Sequence, residues 1–116
     1  MANVFETIVS SGIGTANTNV GGSPGTQTRV TAASTTETII GLTLGNKTAS
    51  AINVDVEYHN GTHGTFLIKG APIPSGSSLV PIGGDQKIVL TTGDSIRVKS
   101  DTLNSVDATM SILQST

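Results

Sequence analysis

Hydrophobic and polar residues alternate most clearly from Ile52 to Tyr58. Ile52, Val54, Val56 and Tyr58 point one way, and Asn53, Asp55 and Glu57 point the other. Period two with β-branched residues marks a half-buried strand. His59-Asn60-Gly61-Thr62-His63 follows, and Asn-Gly is a strong hairpin signal. The chain returns through Thr65-Phe66-Leu67-Ile68-Lys69, so these two strands should lie side by side. The same pattern predicts a strand from Thr38 to Leu44, with Ile40, Leu42 and Leu44 on one face and Ile39 on the other. It predicts another at Gln86–Leu90, with Ile88 and Leu90 together. Gly93-Asp94 turns into Ser95–Lys99, where Ile96 and Val98 face inward. The last run places Val106, Ala108, Met110 and Ile112 inside, with Asp107, Thr109 and Ser111 outside.

Weaker signals fill the gaps. Val4–Val9 is a further strand candidate, Thr28–Ala32 a fainter one, and Leu79-Val80 a short one. Ala71-Pro72-Ile73-Pro74-Ser75-Gly76 and Pro81-Ile82-Gly83-Gly84 read as turn-rich and unsuited to central strands. No ten-residue stretch has helical periodicity. Seven to nine short strands at 8–12-residue spacing point to an antiparallel β-sandwich or a closed barrel.

From Thr7 to Thr28 the chain carries no Lys, Arg, Asp or Glu and is dominated by Gly, Ser, Thr and Asn. So little apolar surface offsets the ordering entropy of such a segment poorly. The expected organisation is therefore an extended N-terminal arm over residues 1–35, with a short strand near 4–9, and a sandwich domain over 36–116. The arm is expected to be ordered by another protein chain.

The 116 residues suffice for one domain. Apolar residues make up 35% and include only three aromatics, Phe5, Tyr58 and Phe66, so the core must come from Ile, Val, Leu and Ala. Net charge is −2, with six scattered basic residues. Neither the clustered cations nor the stacking aromatics of nucleic-acid binding are present, and polybasic membrane attachment lacks the same cations. No run approaches the ~20 apolar residues of a membrane span. With no cysteine there is no disulfide framework or thiolate metal site. Met-Ala-Asn-Val-Phe-Glu lacks the marks of a signal peptide, so synthesis in a cytoplasm is expected.

Candidate chemistry is sparse. His59 and His63 could hold a metal, but a site needs further ligands, and the two residues flank a turn. Asp85, Asp94, Asp101 and Asp107 lack the spacing of a calcium loop. Asp55 and Glu57 sit two apart on a polar strand face, which suits solvated display better than paired-carboxylate catalysis. No serine has the Gly-x-Ser-x-Gly setting of a nucleophile. The pairs Gly21-Gly22 and Gly83-Gly84 lack the lysine and helix of a phosphate loop. Lys69, Arg97 and Lys99 could form a small basic face, as edge strands often do. Asn46-Lys47-Thr48 and Asn60-Gly61-Thr62 are glycosylation sequons, meaningful only on a secretory route. No catalytic, metal or cofactor-binding residue is expected, and no enzymatic role.

From Ile40-Gly41-Leu42-Thr43-Leu44-Gly45-Asn46, the chain continues through the alternating strand to Gly70-Ala71-Pro72-Ile73-Pro74-Ser75-Gly76-Ser77-Ser78-Leu79. Gln86-Lys87-Ile88-Val89-Leu90-Thr91-Thr92-Gly93-Asp94-Ser95-Ile96-Arg97-Val98 follows. Over residues 36–113 this order resembles small structural proteins of tailed bacteriophages, including those infecting cyanobacteria. The resemblance implies a β-sandwich (jelly-roll-like or immunoglobulin-like) that works in the virion without catalytic residues. Head decoration is the first expectation, with a neck, collar or tail component as the alternative. The implied partners are copies of itself and other virion proteins, such as a major capsid protein or neck and tail proteins, with neither nucleic acid nor membrane among them. A carbohydrate-binding module is a third reading, weakened by the missing Trp and by Tyr58 lying on the core-facing side of its strand.

Overall fold

The computed structural model describes residues 3–83 and 86–116. Its strands are β1 (Asn3–Ile13), β2 (Thr18–Asn19), β3 (Thr36–Asn46), β4 (Ile52–His59), β5 (Gly64–Ile73), β6 (Ser78–Ile82), β7 (Ile88–Leu90), β8 (Ser95–Ser100) and β9 (Val106–Ser115). They form two antiparallel sheets packed as a β-sandwich, as the strand pattern led one to expect. The first sheet runs β1-β9-β3-β6, and β7 also pairs with β3; the second runs β2-β8-β4-β5. β6 and β7 share one edge of β3, β7 along Glu37–Ile39 and β6 along Leu42–Gly45.

The alternating residues meet face to face between the sheets. Leu42, Leu44, Ala108, Met110 and Ile112 of the first sheet and Val54, Val56, Ile96 and Val98 of the second are all buried. None of the buried core residues is aromatic. The predicted β4–β5 hairpin is present. His59 faces Gly64, the Asn60 N–H donates to the His63 carbonyl, and Gly61 takes φ 94°, a conformation that glycine adopts without a Cβ clash.

Three local expectations change. Ile39, not Ile40, is fully buried, because the register slips between Ile39 and Gly41. Ile40 is the extra residue of a β-bulge, which breaks strict alternation. Pro72 and Pro81 lie within strands, but within the edge strands β5 and β6, where a missing N–H costs no ladder bond. Thr28–Ala32 forms no strand. Instead Thr31 donates to the Asp94 carbonyl and accepts from the Gly93 N–H, both at 2.9 Å.

The uncharged N-terminal segment also differs from expectation, because its partners lie in its own chain. β1 extends well past the predicted Val4–Val9 and pairs with β9 from Asn3↔Ser115 to Ile13↔Val106. Ile13 and Val20 are buried in the core. The small polar side chains act as fasteners. Ser10 Oγ donates to the Gly22 carbonyl (2.9 Å) and accepts from the Gly21 N–H (2.8 Å). Asn19 Nδ2 donates to the Arg29 carbonyl (2.8 Å), and Thr18 Oγ1 accepts from the Gly25 N–H (2.9 Å). Arg29 then grips Glu37 on β3 with two bonds, of 2.9 and 2.6 Å, and Thr31 Oγ1 adds a third of 2.9 Å. Counting apolar residues misses this, because buried polar groups with partners let a polar segment pack. The division into an arm over 1–35 and a sandwich over 36–116 did not include these contacts.

Candidate assembly surface

The residues singled out in the sequence do not converge on one site. His59 and His63 belong to the β4–β5 turn: His59 Nδ1 accepts from the Gly61 N–H at 3.1 Å, and the His63 N–H donates to Asn60 Oδ1 at 2.8 Å. Among the described residues, no three His, Asp or Glu side chains stand close enough to hold a metal ion. Gly84 and Asp85 lie outside the described residues. Gly21 and Gly22 form a tight turn, with the Gly22 N–H on the Asn19 carbonyl at 2.8 Å. A Cβ on Gly21 would stand 2.8 Å from Ile8 Cγ2 and 2.9 Å from Arg29 Cδ.

The described aspartates tie turns to strands. Asp94, 5% exposed, accepts from the Tyr58 hydroxyl at 2.7 Å and from the Thr91 N–H at 2.9 Å. Burial pushes its carboxyl upward, but the bonds from Thr91 and Tyr58 outweigh that and hold it below the usual range. The same bond to Asp94, with burial, raises the Tyr58 phenol above its ordinary value. Asp101 is lowered chiefly by the Asn53 N–H and by Thr102. At Asp107, burial is outweighed by the Gly12 N–H and by Lys47, 3.2 Å away. Asn46, the first sequon asparagine, is buried. Its Nδ2 lies within hydrogen-bond distance of the carbonyls of Ser50, Ile73 and Pro74, and its Oδ1 accepts from Thr48. It is a structural hub closed to a glycan.

The two outer faces of the sandwich have opposite chemistry. On the four-stranded sheet, Asp55 stands opposite Lys99 and Glu57 opposite Arg97. Lys69 Nζ reaches Asp55 at 3.1 Å and sits 4.6 Å above the Phe66 ring. The anticipated basic face of Lys69, Arg97 and Lys99 is thus a mixed one, its cations interleaved with carboxylates. The five-stranded sheet is different. Its outer face crosses β1, β9 and β3 in rows Asn3–Ser115–Thr36, Phe5–Leu113–Thr38, Thr7–Ser111–Gly41 and Val9–Thr109–Thr43, and Val89 of β7 extends the second row. No charged residue occurs in these rows; Asp107, opposite Gly45, is the first. No family model, no curated protein and no solved structure matches this chain.

Large apolar side chains stand open on that face: Phe5 is 73% exposed, Val9 59% and Val89 51%. A pocket of about 270 Å³ near β1 and β9 is lined by Phe5, Glu6, Thr7, Ile40, Ser111 and Ile112. A second hollow, of about 320 Å³, lies between Gly12, Gly14, Pro24 and Leu103 and has no titratable side chain in its wall. The sequence pattern did not mark Phe5, Val9, Val89 or Leu113 as members of one outer face. Alternation around Val4–Val9 gives a strand, but its solvent face appears only once the register with β9 is known.

Proposed function

We propose that this chain is a structural subunit of a virus particle, in the form of a decoration (cement) protein of a tailed bacteriophage. In this role it joins copies of itself and a major capsid protein, with no catalytic residue of its own. The reading is carried by the segregation of charge between the two outer faces. An uncharged sheet face can be covered by a neighbour without burying unpaired charge, while the mixed-charge face stays in water. Large side chains exposed together on one face are a usual mark of a contact surface. The sequence resemblance to phage structural proteins supports the same reading and supplies the particle. In a lattice of many copies, modest contacts add through effective concentration.

The test is mass spectrometry and gel densitometry of density-purified phage particles carrying this gene. The expected result is a copy number comparable to that of the major capsid protein. A few copies per particle, in a ring, would move the protein to the neck or tail. Absence from the particle would refute the proposal.

A further inference from the structure

The free edge of β1 is the least protected part of the fold. β1 pairs with β9 on one side, and no strand of the described residues lies on the other. Exposed edges are normally blunted by proline, lysine, bulges or shortness. The other edges of this sandwich show those devices. β5 carries Lys69, Pro72 and two register slips; β6 carries Pro81 and a slip against β3; β2 and β7 have two and three residues. β1 has eleven residues, no proline, no lysine and one charge, Glu6, and its one register slip falls beyond Ser10. Within its regular stretch, Asn3 to Ser10, residues 3–7 are exposed on both faces, with Val4 48% and Phe5 73% exposed.

We propose that the partner for this edge is β1 of a second copy, paired antiparallel about a twofold axis at Thr7, so that the two five-stranded sheets become one continuous sheet. The register follows from the residues. A twofold axis between residues would place core-facing positions opposite solvent-facing ones, so the axis must fall on a residue. An axis at Glu6 sets two carboxylates opposite each other, which is unfavourable. An axis at Ile8 puts Phe5 opposite Ser11, inside the irregular stretch between Ser10 and Ile13. At Thr7 the two threonines face each other. Phe5 then faces Val9 twice, Glu6 faces Ile8, and Val4 faces Ser10. The two most exposed apolar side chains of β1 thus cover each other across the joint, an aromatic–β-branched pairing that favours adjacent strands. A contact of one strand edge is small for a stable interface, so the dimer forms in proportion to concentration. The proposal rests on the geometry of β1 and does not depend on which particle, if any, the protein joins.

The chain has no cysteine, which makes a register test direct. Opposed Cα atoms in an antiparallel pair stand about 4.5–5.5 Å apart, within the span a disulfide bridges. Full-length Thr7→Cys is expected to form a covalent dimer under mild oxidation at concentrations where the wild type sediments as a dimer. Val9→Cys is expected to lose that cross-link, since the two positions lie four residues out of register, about 13 Å apart along the strand. Phe5→Lys should shift the wild-type dimer to monomer in sedimentation equilibrium, with an unchanged thermal midpoint at dilutions where both are monomeric, because Phe5 is already exposed in the single chain. A wild type that stays monomeric at every concentration overturns the proposal, and so does Val9→Cys cross-linking as fast as Thr7→Cys.

Discussion

Removing Arg29 should cost far more stability than neutralising its partner Glu37. The Glu37 side chain is 4% exposed and the Arg29 side chain 22%. Arg29→Ala deletes two charge-assisted bonds and strands a carboxylate that keeps only the Thr31 hydroxyl. Breaking a buried pair from that side costs about 3–5 kcal/mol. Glu37→Gln leaves the charge on the more exposed partner, which keeps water, and retains a side chain that can still accept a hydrogen bond, so it should cost about 1–2 kcal/mol. For a chain of this length roughly 4 °C of midpoint follows each kcal/mol, which gives a drop of about 12–20 °C for Arg29→Ala. Urea unfolding followed by circular dichroism gives both values. Hydrogen exchange should show residues 20–31 losing protection in Arg29→Ala before the rest of the sandwich does, since Arg29 and Thr31 hold that loop to β3. Equal costs for the two substitutions, or an Arg29→Ala cost below 1 kcal/mol, would refute the view that this clamp holds the N-terminal segment in place.

Further outcomes follow from the polar contacts of the turns. Asp94, Asp101 and Asp107 have lowered native values, so the unfolded chain binds more protons in mild acid. Their contribution is present above the ordinary carboxylate range and fades as pH falls through the native values. Tyr58 runs the other way: its raised value stabilises the fold below the ordinary phenol range, and that contribution is lost as alkaline pH passes the native value. Tyr58 is the only tyrosine and there is no tryptophan, so an ultraviolet absorbance titration reads this phenol directly. Tyr58→Phe should reduce stability by about 1–2 kcal/mol and flatten the acid dependence measured by urea unfolding across pH. Asn46→Ala, which leaves the carbonyls of Ile73 and Pro74 without their shared donor, should cost about 2–3 kcal/mol, seen as a lower urea midpoint with an unchanged slope.

The second half of the fold is legible because its strands bury one face, and burial of one face writes period two into the sequence. β4, β8 and β9 show this with Val54 and Val56, Ile96 and Val98, and Met110 and Ile112. Ile39 and Ile40 exchange places because a bulge adds one residue, and adjacent isoleucines give no hint of which one is extra. The N-terminal segment is illegible for another reason. Its anchors, Ile13 and Val20, are few, and the rest of its order comes from pairing with β9 at the other end of the chain and from Ser10, Thr18 and Asn19 bonding to backbone 7–12 residues away. Such bonds depend on where the chain goes, which composition does not encode. The apolar outer face stayed hidden for the same reason, since it is assembled across strands from both ends of the sequence.

That assembly sets the order in which the protein can be made. Asn3 pairs with Ser115, so β1 leaves the ribosome well before the strand it pairs with. Until then β1 has two unsatisfied edges instead of one. Folds dominated by such distant pairings form slowly and expose sticky strands meanwhile. A nascent chain released before Val106 would keep the four-stranded sheet's sequence intact yet lack the strand that joins β1 to β3. Yield in a cell should therefore depend on how long β1 is shielded during synthesis, a burden created by the same sheet order that sets β1, β9 and β3 side by side.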